Sequence, residues 1–205
     1  MLVNKHNLQI ADLCDKRESR YTVDAIHVTD QYSEVTNGHY LVRVSTSKLC
    51  TDADFPAVNG FVPANGEATD TLLSREVAQE VCKAIPSKST IAVLKHAAIA
   101  THEKQVSIAV TDLETPKVFH LEALDGHYPN IDSVIPKEGF AKLTFGVDAR
   151  YLMMLAKSAI AHAGHGKVKT AVIKIEVKAA NSALKLSCAN SEGQTWVAVL
   201  MPVRL

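Results

Sequence analysis

Nine histidines in 205 residues are the first hint of chemistry, because imidazole titrates near neutrality and serves as acid, base or metal ligand. His162 and His165 stand three apart with Lys167 beyond, but they straddle Gly164, and no carboxylate lies near to complete a metal set. His120 follows Asp112 and Glu114, yet no nucleophile motif accompanies them. His96, His102 and His127 are spread over strand-like stretches and a loop, where a histidine is ordinarily structural. There is no phosphate loop and no Gly-x-Ser-x-Gly elbow. The pattern points to no enzyme, calls for no cofactor and offers no metal site.

Binding is what remains. Net charge is +0 with a pI near 7.1, which argues against a surface that grips nucleic acid everywhere but leaves room for a local basic lining. Aromatic residues are 5% of the chain, too few for a platform that stacks single-stranded bases. Cys14, Cys50, Cys82 and Cys188 form no paired or zinc-type spacing, so they read as free thiols of a reducing cytoplasm. No apolar run approaches the ~20 residues of a membrane helix, and Met1 to His6 lack a signal-peptide stretch. A cytoplasmic globular protein with no membrane partner is expected.

The stretch Thr195 to Leu205 carries the sharpest binding signal. Val197, Val199 and Met201 alternate with Ala198 and Leu200, which predicts a strand with at least one buried face. Pro202 ends any ladder, having no amide hydrogen. Val203, Arg204 and Leu205 follow, apolar and basic, where a frayed polar tail would be ordinary. Either this strand closes the core, or it also walls a groove for another protein.

Three stretches resemble one family. The ending Met201-Pro202-Val203-Arg204-Leu205 is similar to the C-terminus of the bacterial sliding clamp, the DNA polymerase III beta subunit. Thr36-Asn37-Gly38-His39-Tyr40-Leu41 resembles its Thr-Asp-Gly-His-Arg-Leu segment, with Asn37 and Tyr40 as departures. Gly126-His127-Tyr128-Pro129-Asn130, continuing to Val134-Ile135-Pro136, resembles a linker in the same family. The resemblance follows the family's order through most of the chain, although the chain is far shorter than a clamp subunit.

The elements that would position these residues recur. A short helix is predicted over Asn7 to Asp15, then strands over Tyr21 to Thr29, Tyr32 to Val35 and Tyr40 to Ser45, with Asn37-Gly38 as a turn. Phe55 to Asp70 reads as a loop with an extended piece at Gly60-Phe61-Val62. Ser74 caps a helix that Pro86 stops, with Val77, Val81, Ala84 and Ile85 as its stripe. Strands are predicted at Thr90 to Lys95, Ala97 to His102, Gln105 to Thr111 and Lys117 to Leu124. After a linker at Tyr128 to Gly139 come a strand at Ala141 to Phe145 and a helix over Ala149 to Ala163, capped by Asp148 and stopped by Gly164. Strands at Thr170 to Lys178, Ala183 to Ala189 and Thr195 to Met201 complete the chain.

A helix followed by strands thus returns about three times, at intervals of roughly 60 to 70 residues. The resemblance implies an α+β DNA-clamp fold of βαβββ repeats, with 1–137 as one full domain (repeats 1–62 and 63–137) and 138–205 as half of the family's last domain. It implies a processivity factor that assembles as a homo-oligomer around double-stranded DNA, without reading sequence. It also implies tethering of DNA polymerase, clamp loader or repair proteins through a C-terminal groove. A module that binds the same peptides without encircling DNA is the alternative.

Position by position, the resemblance assigns the groove to Val23, Thr36, Gly38, His39, Leu41, Pro129, Val134, Val199, Met201, Pro202, Val203, Arg204 and Leu205. Val, Leu and Met would supply an apolar, adaptable floor, and Arg204 a charged anchor. The plain alternative is that each apolar member is core. Lys16, Arg17, Arg20, Tyr21, Arg75, Lys83, Arg150 and Lys157 would face DNA, contacting phosphates only; the plain alternative is a set of solvated faces.

Overall fold

The computed structural model describes residues 1–14, 24–64, 69–102, 104–136, 139, 141–164, 170–190 and 194–204. The chain divides into two bodies, Met1–Ile131 and Asp132–Leu205.

In the N-terminal body, β1 (Leu2–Asn4) runs straight into α1 (Lys5–Gln9), which continues as a 3-10 turn at Ile10–Leu13. Asn4 and Asn7 explain the start. Asn4 Oδ1 accepts from the His6 and Asn7 amides at 2.9 and 3.3 Å, and Asn7 Oδ1 accepts from the Asn4 amide at 3.3 Å. This reciprocal box satisfies amides that a helix start otherwise orphans. Asn7 is fully buried, and its Nδ2 donates to the carbonyls of Val44 and Ser45, both at 3.2 Å. Strands β2 (Ala25–Thr29), β3 (Tyr32–Thr36) and β4 (Leu41–Ser45) follow. The same order then returns as β5 (Asp70–Ser74), α2 (Arg75–Ala84), β6 (His96–His102), β7 (Gln105–Val110) and β8 (Lys117–Glu122). Ser74 Oγ accepts from the Val77 amide at 3.2 Å, the expected cap.

The two sheets are not made by the two repeats separately. Their orders are β4-β3-β2-β5 and β1-β6-β7-β8, antiparallel throughout. Each repeat sends its opening strand into the other's sheet, with Ala25 opposite Ser74 in one and Leu2 opposite Ala98 in the other. Val3, Leu8, Ala11, Ile26, Val28, Leu73, Ala78, Val81, Ile99 and Ile108 meet in a single core drawn from both repeats.

The C-terminal body holds α3 (Ala149–Gly164) and a three-stranded antiparallel sheet of order β11-β10-β9, from β9 (Lys174–Glu176), β10 (Leu184–Ala189) and β11 (Thr195–Leu200). Asp148 caps α3, accepting from the Arg150 amide at 2.8 Å. Leu152, Leu155 and Ala159 turn towards Leu184, Leu186 and Leu200.

Four expectations need correction. The predicted strand at Thr90 to Lys95 is a bend followed by a 3-10 turn, Ala92–Lys95. No strand forms at Gly60-Phe61-Val62; the opening strand of the second repeat is β5, at the end of what reads as a loop. Ala141 to Phe145 forms no strand, and only Gly146 makes a lone bridge, to Val203. The strand predicted over Thr170 to Lys178 shortens to β9. Strands need partners, and the last two segments have few.

Replacing Leu73, 2% exposed on an exchanged strand, tests the shared core. Leu73→Ala should cost about 2–5 kcal/mol, read as a lowered urea midpoint in circular dichroism.

Candidate functional site

The outward face of β11 is the most unusual surface of the C-terminal body. Along β11 the even residues Trp196, Ala198 and Leu200 turn to the core. The odd ones do not. Val197, Val199, Met201 and Val203 are 55, 62, 64 and 48% exposed. On the same face, the neighbouring strands carry Lys185 and Ser187 opposite Val199 and Val197, then Glu176 and Lys174. Lys174 pairs with Glu176 at 2.8 Å and Lys185 with Glu176 at 3.5 Å. The sheet's outer surface is therefore polar except along its edge strand, where an apolar row stands in solvent. Pro202 and Arg204 border this row, with Pro202 half-buried and Arg204 exposed, and Val134 is 69% exposed in the same body. Leu205 lies outside the described residues.

In the N-terminal body, Thr36, Gly38, His39 and Leu41 form the tip of the β3–β4 hairpin. Thr36 Oγ1 donates to the Tyr40 carbonyl at 2.7 Å, and the Gly38 amide donates to Thr36 Oγ1 at 3.2 Å. Asn37 Oδ1 accepts from the His39 and Tyr40 amides at 2.9 and 3.2 Å. Gly38 sits at φ 85°, a conformation that disfavours any side chain. Asn37 holds this turn through its carboxamide, a role an aspartate could also fill. Tyr40 donates its hydroxyl to the Leu13 carbonyl, so it braces the hairpin against the end of the first helix. Gly38 and His39 are exposed, Leu41 and Pro129 half-buried, and Thr36 buried. Val23 lies outside the described residues.

Next to the hairpin is a network that the sequence did not reveal. His27 Nδ1 and Nε2 lie 2.8 Å from Glu34 Oε1 and Asp70 Oδ1. Glu34 is 2% exposed and also accepts from Arg43 at 2.7 Å, while the Arg43 guanidinium rests 3.8 Å from the Tyr32 ring centre. Tyr128, from the linker-like stretch, donates to the Glu34 carbonyl at 3.1 Å and lies against the His27 ring at 4.9 Å. Burial, then the charge of Glu34, pushes the Tyr128 hydroxyl well above its ordinary range. These residues come from four strands, β2 to β5, and a loop, so no local motif announces them.

The cations expected to face DNA lie in part on α2 and α3. Lys83 and Lys157 are exposed and Arg75 half-buried. Arg150 is exposed but engaged: it donates to both carboxylate oxygens of Asp148, at 3.1 and 2.6 Å, which holds that carboxyl below its usual range. Lys16, Arg17, Arg20 and Tyr21 lie outside the described residues.

By sequence the chain matches no family model and no curated protein. Its structure does match. The sliding clamp of Bacillus subtilis superposes with a TM-score of 0.67 at 16% identity, over 100% of this chain and 49% of that one. The Pseudomonas aeruginosa clamp gives 0.67 at 16%, over 98% and 50%. The Caulobacter crescentus beta clamp gives 0.64 at 17%, over 98% and 50%. The chain has the sliding-clamp fold. It spans about half the length of the clamps it matches.

Within this clamp fold four histidines besides His27 have structural partners. His96 is buried, with Nδ1 3.0 Å from the Ala92 carbonyl, and His102 Nε2 lies 3.1 Å from the Val62 carbonyl. His120 meets Ser107 at 3.2 Å, and His162 Nε2 lies 3.1 Å from the Gln194 carbonyl. His165 lies outside the described residues. Burial pushes the Cys14 thiol up to about 11, which makes it a poor nucleophile.

Burial lowers the His27 pKa, but its bonds to Glu34 and Asp70 outweigh this, and the net shift is upward. The folded state therefore holds its proton more tightly than the unfolded state. The stabilisation is complete below the unfolded value of about 6.5 and is lost as pH rises through the folded value. Urea midpoints of the native chain should fall across that window, and His27→Gln should flatten the slope; an equal slope in both proteins would contradict the assignment.

Proposed function

We propose that this protein is a sliding-clamp-type processivity factor, and that the apolar row on β11 is the seat for its protein partners. The observation that carries this is the row itself: Val197 and Val199 on β11, and Met201 and Val203 just beyond it, are exposed, while the other face of β11 is core. Contiguous exposed apolar surface marks a contact site. Methionine lets such a surface repack for different guests, and Arg204 at its border offers a charged hydrogen bond to fix a guest's direction. The partners proposed are short apolar segments of a DNA polymerase, a clamp loader or repair proteins. Thr36, Gly38, His39, Leu41 and Pro129 remain candidates in their own right. Residues 1–137 would stand for one full clamp domain and 138–205 for half of another.

The proposed DNA contact is to phosphates of the duplex, through Lys83, Lys157, Arg75 and, after release from Asp148, Arg150. A neutral chain with few such groups would bind weakly, with a salt dependence only as steep as its few phosphate contacts, and a loose hold suits sliding. Three repeats in one chain are too few to surround a duplex, so encirclement needs a homo-oligomer. The protein acts as a cytoplasmic, non-enzymatic tether in this proposal. A near-neutral chain whose Arg150 is already held by Asp148 favours a second version, in which it captures the same peptides without enclosing DNA.

Two measurements test these. Val199→Glu with Met201→Glu should weaken binding of a fluorescent clamp-binding peptide at least about tenfold, with circular dichroism unchanged because both side chains face solvent. Unaltered affinity would remove β11 from the proposal. Retention on nicked circular DNA that is lost on linearisation supports encirclement; peptide binding without retention supports the second version.

A further inference from the structure

The C-terminal body is built like half of the N-terminal one, and its unfinished surfaces are those that the other half would cover. Counted from the caps Asn4, Ser74 and Asp148, the helices align: Leu8, Ala78 and Leu152 are equivalent, as are Gln9, Gln79 and Met153, and Asp12, Cys82 and Ala156. In the N-terminal body α1 and its 3-10 extension pack on α2. Gln79 Nε2 donates to Asp12 Oδ1 at 2.6 Å, and Lys5 Nζ donates to Ser87 Oγ at 2.6 Å, so the two chain segments run antiparallel. Cys82 lies close enough to feel Lys5 and Asp12 across this seam.

On α3 the seam positions are apolar. Ala149, Met153, Ala156 and Ile160 recur at intervals of four, three and four, the spacing of a helix-pairing stripe, beside the face that holds the sheet. Met153 is 52% and Ile160 48% exposed. The register of Gln79 on Asp12, applied to two identical helices, sets Met153 against Ala156 of the other copy and Ile160 against its Ala149. Each large side chain then meets a small one, which is how facing layers interdigitate.

The sheet is open on the matching side. β9 is the first strand after its helix, as β2 and β6 are after theirs. β2 is flanked by β5 and β6 by β1, whereas β9 has β10 on one side and no strand on the other among the described residues. Ile175 pairs with Leu186 and so shares its core-directed face, yet Ile175 is 53% exposed where Leu186 is 1%. Ile26 on β2 and Ile99 on β6 are 0 and 1% exposed. In the N-terminal body, α2 of the second repeat covers β2 of the first.

We propose that a second copy of this chain completes the C-terminal body by a two-fold contact, α3 packing antiparallel on α3 along Met153, Ala156 and Ile160 and covering Ile175 of its partner. The interface is isologous, so one patch serves both copies, and it hides an edge strand that otherwise invites unspecific pairing. It supplies one of the contacts that the oligomer proposed above would need, but it does not depend on DNA or on the β11 row, and its test involves neither.

The test is sedimentation velocity on the full chain. The native protein should populate a dimer or an even-numbered assembly, and Met153→Glu with Ile160→Glu should weaken self-association by about tenfold or more. Since a glutamate could disturb folding, a second measurement uses mild variants: a mixture of M153C and A156C chains, oxidised, should give a disulfide-linked heterodimer absent from the native chain with its own four cysteines. A strict monomer at the highest soluble concentration overturns the proposal. So does an assembly that survives the glutamates and yields no cross-link.

Discussion

Val3 and Leu73 lie on strands that never pair with the strands next following them in the chain. β1 crosses to β6 and β5 to β2, and the rest of the N-terminal body depends on that exchange. Neither repeat can close its own sheet, so neither can bury its helix alone. The exchange joins residues separated by about a hundred positions, such as Leu2 and Ala98, at the entropic cost of closing a long loop. What offsets it is the shared core, where Val3, Leu8 and Ala11 from one repeat and Leu73, Ala78 and Val81 from the other are nearly or wholly hidden from solvent.

The C-terminal body shows what one repeat looks like without that exchange. Its opening stretch is irregular, β9 is three residues long, and the three most buried leucines are backed by side chains that are only partly covered. Against this background two apolar surfaces must be kept distinct. One lies along β11 on the outer face of the sheet. The other runs from Ile175 to the flank of α3, on the inner face. They cannot serve the same guest, because the sheet stands between them.

Much of this was readable from residues alone where the signal is local. The caps Ser74 and Asp148, the Asn37-Gly38 turn and the stop at Pro86 all act within a few residues, and helices α2 and α3 fall where those signals put them. The misses are non-local. Asp70 to Ser74 looks like the tail of a loop because its strand character comes from β2, more than forty residues away in the chain. Thr90 to Lys95 has β-forming residues but no neighbour to pair with. For β11 the alternation was plain, but valine and methionine on one side and tryptophan, alanine and leucine on the other are both apolar, so the pattern could not say which face turns inward. The network of His27, Glu34, Asp70 and Arg43 was invisible for the same reason: its members sit on strands β2 to β5 and meet only after the sheet has formed. A groove beside the C-terminal strand and a basic helix face, with Arg150 and Lys157 seven apart, could be read from spacing, but the full residue sets of both sites come only with the family resemblance.

Trp196 is the sole tryptophan of the chain, and its indole nitrogen donates to Ser158 on α3 at 3.1 Å. It is rooted on the inner side of β11, directly behind the apolar row. Selective excitation of this one fluorophore therefore reports on a single half of the molecule, while the tyrosines Tyr32, Tyr40 and Tyr128 belong to the other half. Tyr151 on α3 shares the C-terminal body, so tyrosine emission is common to both halves, but tryptophan emission follows the melting of the C-terminal body without a dye.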